Sequence, residues 1–127
     1  MKEINVNHLV KEDDIKIIKS RKFANRIIKL YQFLDDKNIE DIRRQVLHSG
    51  TSIGANIAES VFSESRIDFK HKISIALKEA NETLYWIEVL FYGDYISGNM
   101  HESLRKDCSE LILILSSIIK TIKDGNY

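Results

Sequence analysis

The sequence predicts an all-α protein, an antiparallel up-down-up-down four-helix bundle. Its 127 residues include no proline, the residue that most often kinks or ends a helix. Apolar residues recur at steps of three and four along four segments, which short polar breaks separate. Helices joined by short connections pack as antiparallel neighbours, so we predict a single domain over residues 1–127. Its first dozen residues, 1–12, are polar and are interpreted as a flexible lead.

The first two predicted helices meet at a polar break, residues 35–38. Helix one extends from about Asp14 to Asp36, with a stripe formed by Phe23, Ile27, Leu30 and Phe33 or Leu34. Helix two starts near Asn38, which can cap it. Glu40 and Asp41 are favourable in its first turn because helix N-termini attract negative charge. Its apolar stripe comprises Ile39, Ile42, Val46, Ile53, Ile57 and Val61.

The segment HSGTSIGANIAE, residues 48–59, has the composition of a loop but the spacing of a helix. Gly50 lies between Val46 and Ile53 on the apolar stripe of helix two. A phosphate-binding loop follows a strand and, in its Walker form, ends in Gly-Lys-Ser/Thr; this segment has neither feature. Two glycines inside a helix cost about 1 kcal/mol each relative to alanine. We therefore interpret the segment as mid-helix, with glycine allowing another backbone to approach closely.

The second half of the sequence predicts two longer helices with heptad seams. Helix three is predicted over about residues 66–95. A cap at Ser63 or Ser65 precedes it, and Asp68 resembles the acid of a capping box. Its seam comprises Phe69, Ile73, Ala76, Ala80, Thr83, Ile87 and Leu90. Helix four is predicted over about residues 100–123, with a seam of Leu104, Cys108, Leu111, Leu115, Ile118 and Ile122.

Two surfaces of the predicted bundle are candidate subunit interfaces. A helix that is apolar on two sides is buried on two sides, and helix three carries a second stripe opposite its seam. This stripe comprises Ile75, Glu79, Glu82, Tyr85, Trp86 and Val89. A small-residue surface on helix two, against which a neighbouring helix can pack, comprises Thr51, Gly54, Ala55 and Ala58. Solvated faces are the alternative interpretation. Glu79 and Glu82, if buried, need partners such as Arg44 or Lys78.

Positive charge is concentrated in helix one, although 19 basic and 19 acidic residues leave the chain with no net charge. Residues 16–29 contain six lysines and arginines and no acid. Such a helix can bind phosphates by releasing their counterions. The candidate nucleic-acid-binding residues are Lys19, Arg21, Lys22, Arg26, Lys29, Arg43 and Arg44. A solvated helix face is again the alternative.

The sequence lacks the usual signatures of enzymes and metal sites. A di-metal bundle repeats Glu-x-x-His on two helices, whereas here only Asp68 and His71 have that spacing. The single cysteine, Cys108, lies on an apolar face and is predicted to be a buried thiol. We therefore predict no enzyme, no catalytic residue, no metal and no cofactor.

Neither the N-terminus nor any apolar run suggests a membrane protein. MKEINVNHLV lacks the basic and apolar regions of a signal peptide. The longest apolar run, residues 111–115, is far shorter than the ~20 residues that span a bilayer. We therefore predict no membrane association and a cytoplasmic location.

Two segments together resemble the signature of a known family. SGTSIGANIAE, residues 49–59, and IALKEANETLYWIEVL, residues 75–90, are similar to small bacterial proteins called 23S rRNA intervening-sequence proteins. The same family includes the accessory variability determinant of diversity-generating retroelements. FANRIIKLYQF, residues 23–33, resembles the first helix of the family. The resemblance extends over about residues 23–123.

This resemblance implies a left-handed up-down-up-down bundle that assembles as a ring-like homopentamer. It also implies that many relatives are encoded within insertions in large-subunit rRNA genes. In the retroelement branch the ring is basic and binds RNA and the reverse transcriptase. The present chain differs from that branch in its net charge of zero.

Together, these observations predict a non-enzymatic homo-oligomer, expected to be a pentamer, that acts as an adaptor or scaffold. RNA or a ribonucleoprotein is a candidate partner, bound through the basic first helix. The alternative is a purely protein-binding assembly module with no nucleic-acid role. A metal-dependent or small-molecule bundle enzyme is a third hypothesis.

Overall fold

The computed structural model describes residues 14–125 as four antiparallel helices, which confirms the all-α four-helix bundle. The helices are α1 (Ile15–Phe33), α2 (Glu40–Ser60), α3 (Arg66–Tyr92) and α4 (Gly98–Lys123). Each helix packs against the next along the chain, and α1 packs against α4 with the least contact of the four pairs. The predicted lead at residues 1–12 lies outside the described residues.

Three of the four helices begin at a side-chain cap. Asp14 accepts from the N–H of Lys16 (3.2 Å), Ser65 from that of Asp68 (3.0 Å) and Ser97 from that of Met100 (3.1 Å). The prediction of Asn38 as the cap of α2 was wrong, because Ile39 holds that position without a side-chain bond. Asn38 instead has φ +58°, a left-handed conformation that reverses the chain and that asparagine tolerates better than most residues.

Three other helix boundaries differ from the predictions by two or three residues, whereas the start of α3 at Arg66 and the end of α4 at Lys123 agree with them. α3 ends at Tyr92, with Gly93 as its C-cap. Asp94 has φ +62°, so the chain leaves the helical conformation there instead of continuing to Tyr95. α1 ends three residues, and α4 begins two residues, before the predicted positions.

The predicted heptad seams form the core. On α3, residues Ile73, Ala76, Ala80, Thr83, Ile87 and Leu90 are buried. On α4, the buried residues are Leu104, Cys108, Leu111 and Leu115, whereas Ile118 and Ile122 near its end are only partly buried. At the end of α1, the C-cap residue Leu34 is the buried member of the Phe33/Leu34 alternative, and Phe33 is 48% exposed.

The glycines of residues 48–59 lie inside α2, as predicted, and their close partner is α1 of the same chain. A Cβ added at Gly50 would lie 2.7 Å from Cγ1 of Ile27. A Cβ added at Gly54 would lie 3.3 Å from Oγ of Ser20. The absence of these side chains lets α1 and α2 pack tightly, which offsets the low helix propensity of glycine.

Cys108 is a core thiol, as predicted. Its Sγ lies 3.2 Å from the carbonyl oxygen of Ala80, to which it donates. Burial, with a smaller contribution from Asp107, raises the pKa of the thiol to about 12. A thiol that stays protonated at neutral pH is a poor nucleophile.

Candidate nucleic-acid and subunit interfaces

Four candidate phosphate-binding residues lie along one side of α1. Lys19, Lys22, Arg26 and Lys29 follow one another at steps of three, four and three, which places them on one helix face. We call these four residues the basic stripe. The stripe borders α4, because Arg26 and Lys19 form ion pairs with acids of that helix.

The acids of α4 neutralise half of the basic stripe. The guanidinium of Arg26 lies 2.7 Å from Asp107 and also donates to the carbonyl oxygen of Ser103 at 3.2 Å. Lys19 forms an ion pair with Glu110. Lys22 and Lys29 are exposed and form no ion pair within residues 14–125. These two lysines are therefore the uncompensated charges of the stripe.

Arg21 is separate from the basic stripe. It lies on the α2 side of α1, where it lines a shallow dent with Ile17, Ser20, Gly54 and Ala58. The sequence grouped Arg21 with its neighbours because charge density along the chain ignores the 100° rotation per residue of a helix. Arg21 is therefore not counted as part of the basic stripe.

Arg43 is a buried structural residue in this fold. Its side chain is 8% exposed, donates to the carbonyl oxygen of Tyr31 at 2.7 Å and pairs with Glu40 at 2.7 Å. The guanidinium also lies 3.5 Å above the Tyr31 ring and 3.1 Å from Asp35. Because these contacts use its donors to join α1 to α2, we do not assign Arg43 a phosphate-binding role.

Glu40 compensates Arg44 as well. Nε of Arg44 lies 2.9 Å from this carboxylate. Hydrogen bonds from Arg43 and then Arg44 hold the pKa of Glu40 below its ordinary value of 4.5. The signal was available in the sequence, because Glu40 stands three and four residues before the two arginines, the spacing of helical ion pairs.

A groove between the end of α1 and the start of α4 is a feature that the sequence did not predict. It has a volume of about 280 Å³ and is lined by Arg26, Lys29, Leu30, Phe33, Met100 and Leu104. The half-exposed ring of Phe33 forms one wall. The sequence left open which of Phe33 and Leu34 is buried, since both are large and apolar.

The second apolar stripe of α3 is half-buried in a single chain. Ile75, Glu79, Glu82, Trp86 and Val89 share the side of α3 that borders α2, and we call them the Trp86 stripe. The indole N–H of Trp86 points to Glu82 at 3.5 Å, and the ring packs partly on the core. Tyr85, which the sequence placed on the same stripe, is 59% exposed. Its ring lies edge-on to that of Trp86, with 5.0 Å between the ring centres.

One carboxylate oxygen of Glu79 is buried without a hydrogen-bond partner in residues 14–125. The Thr83–Ser49 hydrogen bond (2.9 Å) and the Lys72–Glu59 ion pair (3.7 Å) fix the register of α3 on α2. Arg44, one suggested partner, is bound to Glu40 instead. An unpaired buried carboxylate oxygen is costly, so this position lowers the stability of the single chain.

The small-residue surface of α2 is divided between two sides of the helix. Gly54 and Ala58 face the α1 side, where they line the dent beside Ser20. Ala55 is exposed and Thr51 is partly buried, and the Thr51 hydroxyl donates to the carbonyl oxygen of Leu47 at 2.7 Å. The close approach that Gly54 allows is to α1, so the structure accounts for this glycine without a second subunit.

The described residues contain no group of three or more histidine, cysteine, aspartate or glutamate side chains that could hold a metal ion. Within the same residues, no helix is both long and apolar enough to cross a membrane.

Comparison with known proteins gives the same picture of the fold. Residues 13–117 match the model of a family described as 23S rRNA-intervening sequence protein. A crystal structure from Bacteroides thetaiotaomicron, described as a protein of unknown function from the S23 ribosomal protein family, is 48% identical in sequence. It superposes with a TM-score of 0.82, and the match covers 84% of this chain and 99% of that one. No curated protein matches this chain.

Proposed function

This chain belongs to the family of 23S rRNA-intervening sequence proteins, and from that premise we propose that it is a homo-oligomeric, non-enzymatic scaffold that binds RNA through α1. The observation that carries the proposal is the charge pattern of the basic stripe. Arg26 and Lys19 are paired with α4, whereas Lys22 and Lys29 face solvent with no acid to compensate them. Lysines in this state attract phosphates and release their counterions.

The Trp86 stripe supports the self-association part of the proposal. It joins a large aromatic residue with Ile75 and Val89, and it contains the unpartnered carboxylate oxygen of Glu79. Interfaces concentrate binding energy in such aromatic residues. The resemblance to the family implies five subunits in a ring, which we adopt as the proposed assembly.

The resemblance to the retroelement branch implies RNA binding by a strongly basic ring, whereas this chain has a net charge of zero. We propose that a local patch replaces the global charge, since screening limits the reach of exposed charges to about 8 Å at physiological salt. A ring repeats the patch once per subunit, so that a single long RNA can contact several copies.

The first test is binding to a structured fragment of 23S rRNA, measured by fluorescence anisotropy at about 50 and 200 mM salt. The wild type should bind more weakly at the higher salt by about tenfold or more. The double variant Lys22→Gln/Lys29→Gln should bind weakly at both salt concentrations, and its affinity should fall less steeply as salt increases. The matched control, Lys78→Gln/Lys106→Gln, removes two exposed lysines of α3 and α4 and should behave as the wild type.

A protein-binding module without a nucleic-acid role is the alternative, and the half-buried Trp86 stripe favours it. An apolar partner surface gives an affinity that depends little on salt. The absence of RNA binding by the wild type at the lower salt would therefore reject the RNA part of the proposal. It would leave self-association as a separate question for the assembly experiment described below.

A further inference from the structure

We propose that the groove between α1 and α4 holds one unpaired nucleotide of an RNA strand, with its base stacked on Phe33 and its phosphate beside Lys29. The inference rests on the proposed RNA-binding function and adds the position and the chemistry of base recognition. It assigns a role to Phe33, which the charge pattern does not involve.

Phe33 is available as a stacking platform because the core does not use it. The next residue, Leu34, is 1% exposed and fills the core position at the end of α1. The Phe33 ring is turned to the groove, where Leu30, Met100 and Leu104 form the other apolar walls. Proteins that bind single strands use exposed aromatic rings in this way, since every base has a face that stacks.

Positive charges flank the ring along α1. Lys29 lies one helical turn before Phe33 on the same side and lines the groove. Lys22 lies about 10 Å from Lys29 along the helix axis, on the side away from Phe33, in position for a neighbouring phosphate. On the other side, Nζ of Lys37 lies 5.5 Å from the centre of the Phe33 ring, although Asp36 is 4.0 Å from the same amine. An apolar face between cations is complementary to a base between phosphates.

The size of the groove separates a nucleotide from other anionic partners. At about 280 Å³, it lies just below the range of ordinary small-ligand sites, so it can take one planar group. A helical peptide with acidic residues would need a longer channel than this groove provides. A single unpaired base therefore fits better than a peptide.

The experiment compares two strands of about twelve nucleotides with the same charge, within the usual length of a single-strand site. One is oligoadenylate and the other is an abasic ribose-phosphate strand; both carry a fluorescent label. The variant Phe33→Leu keeps an apolar side chain but removes the ring. The matched control is Phe62→Leu, at an exposed phenylalanine in the turn between α2 and α3. Circular dichroism checks that both variants keep the helical fold.

We expect the wild type to bind oligoadenylate more tightly than the abasic strand. Phe33→Leu should lower the affinity for oligoadenylate by about tenfold and leave the abasic strand unchanged, whereas Phe62→Leu should alter neither. Equal affinity for the two strands, with loss of binding in Lys22→Gln/Lys29→Gln, would overturn the base site but leave the proposed RNA-binding function standing. No binding of either strand at about 50 mM salt would overturn both.

Discussion

At the scale of single residues, the glycines of α2 show how composition can mislead about secondary structure. Gly50 and Gly54 occupy helical positions where a loop would be expected from their neighbours. The two positions differ in the space available to a side chain. A Cβ added at Gly50 would lie 2.7 Å from Ile27, whereas a Cβ added at Gly54 would lie 3.3 Å from Ser20. The two glycines should therefore respond differently to the same substitution.

Gly50→Ala should destabilise the bundle by about 1–2 kcal/mol. The gain in helix propensity, about 1 kcal/mol, is smaller than the cost of overpacking against a fully buried isoleucine, up to about 3 kcal/mol. Gly54→Ala is the matched control and should be close to neutral, because the gain in helix propensity offsets the small movement of Ser20 that the methyl group requires. Urea unfolding measures both. A Gly50→Ala protein more stable than the wild type would mean that α1 can move away without cost.

At the scale of elements, the connection of α1 to α2 depends on one buried guanidinium. Arg43 bonds to the backbone of Tyr31 and to the carboxylates of Asp35 and Glu40, so a cation fixes the angle between two helices. The sequence could not show this, because a helical wheel places Arg43 beside the core without indicating that a carbonyl oxygen from another helix would meet it.

This connection should contribute a pH-dependent part of the stability through Glu40. The pKa of Glu40 is lower in the folded protein than its ordinary value of 4.5. Its contribution to the free energy of unfolding is therefore fully present above pH 4.5 and is lost as the pH falls through the folded pKa. Glu40→Gln should therefore be less stable than the wild type at neutral pH. The difference should shrink near pH 3, measured by urea unfolding at both pH values. A constant difference would show that the carboxylate charge is not the cause.

At the scale of the whole molecule, the two candidate surfaces are on opposite sides of the bundle. The basic stripe borders α4, and the Trp86 stripe borders α2, so an assembled protein can still expose Lys22 and Lys29. The arrangement is compatible with the proposed scaffold, which would bind its own copies on one side and a partner on the other.

Trp86→Lys should convert the assembly into smaller species, because a charge at the centre of an apolar contact is costly. Size-exclusion chromatography with light scattering should give about five times the 14.8 kDa of one chain for the wild type and a lower mass for the variant. Tyr92→Lys, at an exposed aromatic residue near the end of α3, is the control and should leave the mass unchanged. An unchanged mass in Trp86→Lys, with its helical content intact, would rule out this surface as the interface.

The parts of the fold that follow from periodicity could be predicted, and the parts that follow from contacts between helices could not. The seams of α3 and α4 were predictable because a spacing of three and four places residues on one face whatever the partner is. The burial of Arg43 depends on a contact with α1 that periodicity does not show. The pairing of Lys19 and Arg26 with acids of α4, about 80–90 positions away, depends on the register of two distant segments.

The acids of α4 that face the basic stripe make the charge of this surface easy to alter in evolution. Asp107 and Glu110 neutralise Arg26 and Lys19 without belonging to the core, so a neutral residue at either position would release a cation while the seam stays intact. Two substitutions on α4 would raise the free cations of the stripe from two to four, with no change in α1 itself. Paralogues of this protein could therefore diverge between weak and strong attraction to polyanions through drift at two positions.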